Sequence, residues 1–206
     1  MHIAFEGPIA AGKTTLAKLL ARQIGTECEL LLEDFKSNEF LQDFYADPQR
    51  WSLPMQLDFL ISRHSQFRHA AQSPKNILIA DHSMQKDKMF AHFLLRDRES
   101  RLYDRIAQAV AGNIAEPDLV VYLDAPTATL LERIRSRGRP YESHIDADYL
   151  DRLRGAYGEV LEAVNESRVV TIDTSTFEVS SDADISAAFS RILAKAGAVG
   201  QNAAAF

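Results

Sequence analysis

Gly7-Pro8-Ile9-Ala10-Ala11-Gly12-Lys13-Thr14 follows the spacing GxxxxGK[ST], which can wrap backbone N–H groups around phosphate oxygens. In such a loop the glycines let the backbone curl, Lys13 reaches the outer phosphates, and the Thr14 hydroxyl ligates Mg²⁺, with Thr15 following in the same turn. A helix starting at Lys13 would add the positive end of its dipole. A nucleoside triphosphate with Mg²⁺ is the ligand that suits these residue types. Loops of this kind serve switches, motors and small-molecule kinases alike. No NKxD-type guanine reader is visible, Asp87-Lys88 being the nearest text, and a motor needs a larger chain. A kinase needs an acceptor pocket and a basic lid.

Candidate lid residues are present. Arg133, Arg135, Arg137 and Arg139 fall within seven positions, ahead of Pro140 and Glu142, and define a lid over about 133–142. Guanidinium groups closing over a transferring phosphoryl group stabilise its spreading negative charge, the part expected of Arg137 and Arg139, with Arg133 on the nucleotide. The same arginines would also complement the negative end of a helix dipole, with Gly138 as C-cap, and that reading stays open. Asp81 ends the apolar run NILIAD, the pattern that sets a carboxylate beside Mg²⁺ in phosphate-loop enzymes.

The elements that must position these groups alternate. Short apolar runs at 2–6, 29–33, 76–81, 118–124 and 168–173 read as strands. Helical periods cover 13–24, 52–71, 98–111, 127–137 and 147–164, with Pro54 expected in the first turn of the second. This order predicts an α/β fold, a five-stranded parallel sheet between two layers of helices. Glu33 then falls at the end of the second strand, where loops face the crevice of an open sheet.

At 206 residues the chain suits one domain spanning 1–206, with a bland tail over about 197–206 free to fray. A net charge of -6 argues against coating nucleic acid and for a small-molecule partner. Cys28 is the single cysteine, which excludes an internal disulfide. The start MHIAFEG lacks a basic and apolar leader, and no apolar run is long enough to span a bilayer, so a cytoplasmic protein without membrane contact is expected.

Further text is more specific. Glu33…Asn38-Glu39-Phe40-Leu41, Phe44-Tyr45-Ala46-Asp47-Pro48 with Trp51, Pro54-Met55-Gln56, Asp81-His82-Ser83 and Arg137-Gly138-Arg139-Pro140-Tyr141-Glu142 occur in that order. Together they resemble the motifs of the deoxynucleoside kinase family, in particular its bacterial deoxyadenosine and deoxyguanosine kinases, from the phosphate loop to about Tyr157. The resemblance implies the P-loop kinase fold and ATP-dependent phosphorylation of a deoxynucleoside 5′-hydroxyl. It makes Glu33 the general base, gives the sugar 3′-hydroxyl to Tyr45 and Glu142, and makes Gln56 the reader of the base. Trp51 and Phe90 would wall the pocket. It further implies a homodimer, for which the apolar faces of the 52–71 and 98–111 helices are candidates.

One departure stands out. His82 occupies a position where most of the family has an arginine that holds the catalytic glutamate and the 5′ end of the nucleoside. With His82 still expected at the substrate, either Lys86 or Lys88 compensates, or the site handles the acceptor differently. The leaning on the acceptor is towards deoxyadenosine. Two other readings remain: a nucleoside monophosphate kinase, gripping the acceptor's phosphate with Arg50 and Arg63, and an ATP-binding regulatory module without turnover.

Overall fold

The computed structural model of the chain describes residues 1–110, 112, 114–177 and 181–203. The five apolar runs form strands: β1 (His2–Glu6), β2 (Cys28–Leu31), β3 (Ile77–Ala80), β4 (Leu119–Asp124) and β5 (Val169–Asp173). All pair parallel, in the order β2-β3-β1-β4-β5. The central strands read as continuous apolar runs because helices cover both faces. Ala4, Phe5, Leu119, Val121 and Leu123 are fully buried. In register, Ala4 pairs with Ala80 on one side and Val120 on the other. The loop leaving β1 and the turn leaving β3 therefore emerge side by side, at the point where the strand order reverses.

Eight helices surround the sheet among the described residues: α1 (Lys13–Ile24), α2 (Leu41–Ala46), α3 (Pro48–Ala70), α4 (Met84–Leu94), α5 (Asp97–Val110), α6 (Thr127–Arg137), α7 (Ala147–Ala163) and α8 (Asp182–Ala203). Helix α3 begins earlier than expected. Asp47 caps it by accepting from the Arg50 N–H at 3.3 Å, Pro48 takes the first turn, and Pro54 lies inside the helix, not in its first turn. Helices α2, α4 and α8 have no counterpart in the expected set. In α4 the buried residues include Lys86 and Asp87 beside Met89 and Ala91, which erases the apolar stripe that marks a helix. The bland tail is helical to Ala203, in keeping with its alanines, and residues 204–206 lie outside the described residues.

The apolar faces proposed for self-association largely cover each other. Leu53 and Leu57 of α3 pack with Ile106 and Ala107 of α5 around Leu60 and Tyr103, leaving Ile61 and Leu102 exposed. Among the described residues no helix is long and apolar enough to cross a membrane.

Candidate active site

The loop between β1 and α1 is tightly constrained. Gly7 sits at φ +140, and a Cβ there would lie 2.1 Å from the Leu123 carbonyl oxygen, so only glycine can pass beneath β4. Gly12, at φ +101, is the N-cap of α1. Lys13 Nζ donates to the loop's own carbonyls, at 2.7 Å to Gly7 and 2.9 Å to Pro8. Burial and the neighbouring Lys86 ammonium bring Lys13 down to about 8, against the pull of Glu6, Glu33 and Asp81. Arg133 ties α6 to this loop, donating to the Ala10 carbonyl at 3.5 Å and to Thr174 Oγ1 at 3.1 Å. Thr15 lies on the exposed first turn of α1.

Beside the loop, Thr14 Oγ1 donates to Asp81 Oδ2 at 2.5 Å, and Asp81 Oδ1 accepts the Glu33 N–H at 2.7 Å. Burial pushes the Asp81 carboxyl up, but hydrogen bonds from His82, Thr14 and Glu33 outweigh it and hold the group below the usual range. Two oxygen donors, one of them ionised, thus meet next to the phosphate loop. That donor set fits Mg²⁺, which takes one or two protein oxygens and completes its shell with water and phosphate.

Glu33 follows β2 and reaches into the same pocket. Its Oε1 accepts from Arg63 twice, at 2.9 Å from Nε and 2.5 Å from Nη2, and its Oε2 accepts from Lys86 Nζ at 2.7 Å. Burial alone would raise this carboxyl, but Lys86, Arg63 and His82 bring it well below the usual carboxylate range. Arg63 is itself anchored: Nη1 binds Asp87 Oδ1, the other Asp87 oxygen accepts from the Tyr103 hydroxyl, and Phe59 lies 4.5 Å beneath the guanidinium.

Gln56, Phe59 and Arg63 stand at i, i+3 and i+7 on α3 and line one wall of the pocket. Gln56 is 1% exposed, and among the described residues its Oε1 has no hydrogen-bond partner. Its neighbours Met55, Leu41, Phe44 and Leu94 make that end of the pocket apolar. A buried orphan acceptor at an apolar pocket wall suits a ligand that brings a donor.

The arginine-rich segment at the end of α6 lines another side. Helix α6 ends at Gly138, which caps it in the left-handed conformation, and residues 140–144 form a 3₁₀ turn. Glu142, 4% exposed, accepts from Arg137 Nε at 2.6 Å and from Arg139 Nη1 at 3.3 Å. Arg139 also lies 4.3 Å over Phe35, and Tyr141 packs against Tyr45 with ring centres 5.5 Å apart. Burial, with Tyr149 and Glu142 nearby, keeps the Tyr45 phenol un-ionised.

Most of the expected constellation therefore converges on one pocket: Lys13, Thr14, Glu33, Tyr45, Gln56, Asp81, Phe90, Arg137, Arg139 and Glu142 all line it. Two expectations are corrected. His82 does not reach the pocket: it is fully buried, 3.3 Å from Asp81 Oδ1, with its ring packed on Phe67. Trp51 stacks on Phe40 instead of walling the site. Of the two candidate lysines, Lys86 reaches Glu33, whereas Lys88 is exposed outside the pocket. Arg63 was visible only as a candidate phosphate grip. Its spacing of two helical turns from Gln56 was the signal that could have placed it at Glu33.

The chain matches the deoxynucleoside kinase family over residues 3–194. It is 33% identical over 178 residues to deoxyguanosine kinase of Bacillus subtilis, covering 83% of this chain and 85% of that one. It is also 33% identical over 182 residues to deoxyadenosine kinase of Dictyostelium discoideum, covering 85% and 73%. Among solved structures, deoxyadenosine kinase from M. mycoides, with products dCMP and a flexible dCDP bound, superposes with a TM-score of 0.80 at 23% identity. That likeness covers 94% of this chain and 100% of that one.

Proposed function

The chain belongs to the deoxynucleoside kinase family, and on that premise we propose which residues carry the transfer and which acceptor they take. A deoxynucleoside kinase moves a phosphoryl group from a nucleotide to a deoxynucleoside. The donor in this reading is ATP, with its outer phosphates on Lys13 and the N–H groups of residues 7–14. Thr14 and Asp81 would hold Mg²⁺, which neutralises charge on the phosphate oxygens as transfer proceeds. Glu33 Oε2 takes the proton of the 5′-hydroxyl while that oxygen bonds to the γ-phosphorus. The bond from the γ-phosphorus to its bridging oxygen breaks, and its electrons leave with ADP. Arg137 and Arg139 shield the transferring oxygens, and Tyr45 with Glu142 binds the 3′-hydroxyl. His82 orients Asp81 from behind the pocket.

Deoxyadenosine is the acceptor favoured here. The observation that carries this is the unpartnered Gln56 Oε1 inside an apolar pocket end. An amide offers a donor and an acceptor side by side, which adenine satisfies through its ring nitrogen and 6-amino group. Guanine brings a further amino group that needs an acceptor. Asp87 does not provide one, because it is buried and does not line the pocket. Leaving that amino group buried and unpaired disfavours guanine.

A monophosphate acceptor is disfavoured by the same geometry. Arg63 is consumed by Glu33 and Asp87, Arg50 lies over Trp51, and the Glu33 carboxylate would repel a phosphate dianion. The proposal includes a single domain, a cytoplasmic location and a homodimer using the exposed Ile61 and Leu102, a state that sedimentation would read directly. The experiment is ADP release with ATP and Mg²⁺ across deoxyadenosine, deoxyguanosine, deoxycytidine, thymidine and their monophosphates. The expected result is turnover with nucleosides, highest kcat/KM for deoxyadenosine. A higher value for deoxyguanosine overturns the base assignment, and turnover confined to monophosphates overturns the role of Glu33.

A further inference from the structure

The two cations on Glu33 are not equivalent. Arg63 is held on several sides, by both of its bonds to Glu33 Oε1, by Asp87 and by the ring of Phe59. Lys86 is anchored only through its backbone, whose N–H is accepted by the helix-capping Ser83 Oγ at 3.2 Å. Among the described residues its ammonium has a single hydrogen-bond partner, Glu33 Oε2 at 2.7 Å, and the ring of Phe90 lies 5.7 Å away. An ammonium carries three N–H donors, so further donors are left over, and Lys86 lines the pocket.

The two oxygens of Glu33 differ in the same way. Oε1 already accepts two bonds from an immobile guanidinium, so Oε2 is the oxygen left to meet the acceptor's hydroxyl. An acceptor oxygen within hydrogen-bond reach of Oε2 arrives next to Lys86 Nζ. The other cations in the pocket stand elsewhere: Lys13 on the phosphate loop, Arg137 and Arg139 on the lid with Glu142. His82 is turned into the core and offers nothing to the 5′ end.

We propose that Lys86 is a catalytic residue of the transfer, whose ammonium passes from Glu33 Oε2 to the 5′-oxygen and the incoming phosphoryl group. This rests on the reading of Glu33 as the base. Lys86 keeps all three of its protons throughout. The 5′-hydroxyl proton goes to Glu33 Oε2, the new bond joins the 5′-oxygen to the γ-phosphorus, and the broken bond's electrons leave with ADP. Lys86 contributes positive charge where negative charge develops, on the acceptor side that the loop and lid do not reach.

The test compares Lys86→Met, Lys86→Arg and wild type in kcat, acceptor KM, and calorimetric binding of the nucleoside and of its 5′-monophosphate. Losing one such donor should lower kcat of Lys86→Met about 100-fold or more. Acceptor KM and nucleoside binding should stay within about 3-fold, product monophosphate should bind about 10-fold more weakly, and Lys86→Arg should recover much of the rate. If Lys86→Met does not fold, Lys86→Cys alkylated with 2-bromoethylamine replaces it, restoring the ammonium and, on this proposal, the turnover. A Lys86→Met kcat within about 3-fold of wild type overturns the proposal. Equal weakening of nucleoside and monophosphate does so too, as does an alkylated enzyme no faster than its unalkylated parent. Wild-type turnover and the Glu33→Gln variant test the base by themselves, so failure there is separable from failure here.

Discussion

Gln56 shows how one atom can separate stability from activity. Its Oε1 is buried without a partner among the described residues, a state that costs the empty fold a hydrogen bond to water. Gln56→Leu removes that orphan at similar volume. Thermal unfolding should show an unchanged or higher Tm, while kcat/KM for deoxyadenosine falls about 100-fold because the base loses both of its amide bonds. That Lys13, Thr14, Asp81, Arg137 and Arg139 share one pocket was legible in the sequence, through the GxxxxGK[ST] spacing, the apolar run that Asp81 ends and the density of arginines after α6. His82 was not. Position 82 follows the Asp81 that reaches the loop, and only the packing of its ring on Phe67 shows that it faces away from the pocket.

At the scale of elements, α3 couples stability to the site. Its Gln56 and Arg63 serve the pocket, and Arg63 also neutralises the buried Asp87 of α4, which Tyr103 of α5 completes. Arg63→Met leaves Asp87 without a cation and Glu33 with only Lys86. Breaking a buried pair from one side costs about 3–5 kcal/mol, so urea unfolding should show a loss of that order, well beyond an exposed-arginine control such as Arg98→Met. The strands and helices α1, α6 and α7 were readable from period and length, and α3 and α5 in all but their starts. The start of α3 was set by the Asp47-Pro48 cap, which a reading by apolar period passes over. Helix α4 hid because Lys86 and Asp87 lie on its buried face, where they interrupt the apolar stripe.

For the whole molecule, the sheet order turns a linear sequence into a crevice: β1 and β3 release the phosphate loop and Asp81 side by side, and β2 brings Glu33 to them. The first strand also carries an acid sensitivity. Burial lowers His2 to about 4 from its ordinary 6.5, partly offset by Asp118, and among the described residues its Nε2 has no partner. The unfolded chain therefore binds the proton first, so the fold loses stability as pH falls from about 6.5 towards 4. Between pH 7.5 and 5 this group accounts for about 2 kcal/mol. Urea midpoints at the two pH values should converge in His2→Phe, which keeps a ring against Phe67.

The most direct test of this crevice as a kinase site is a single-turnover experiment with γ-labelled ATP, Mg²⁺ and deoxyadenosine, run on wild type and Glu33→Gln. The expected result is label in deoxyadenosine 5′-monophosphate, formed about 10²–10⁴-fold more slowly by the variant while nucleoside binding persists. A variant rate within about 2-fold of wild type, or label appearing only when a monophosphate is supplied, would contradict the placement of the acceptor's 5′-hydroxyl at Glu33.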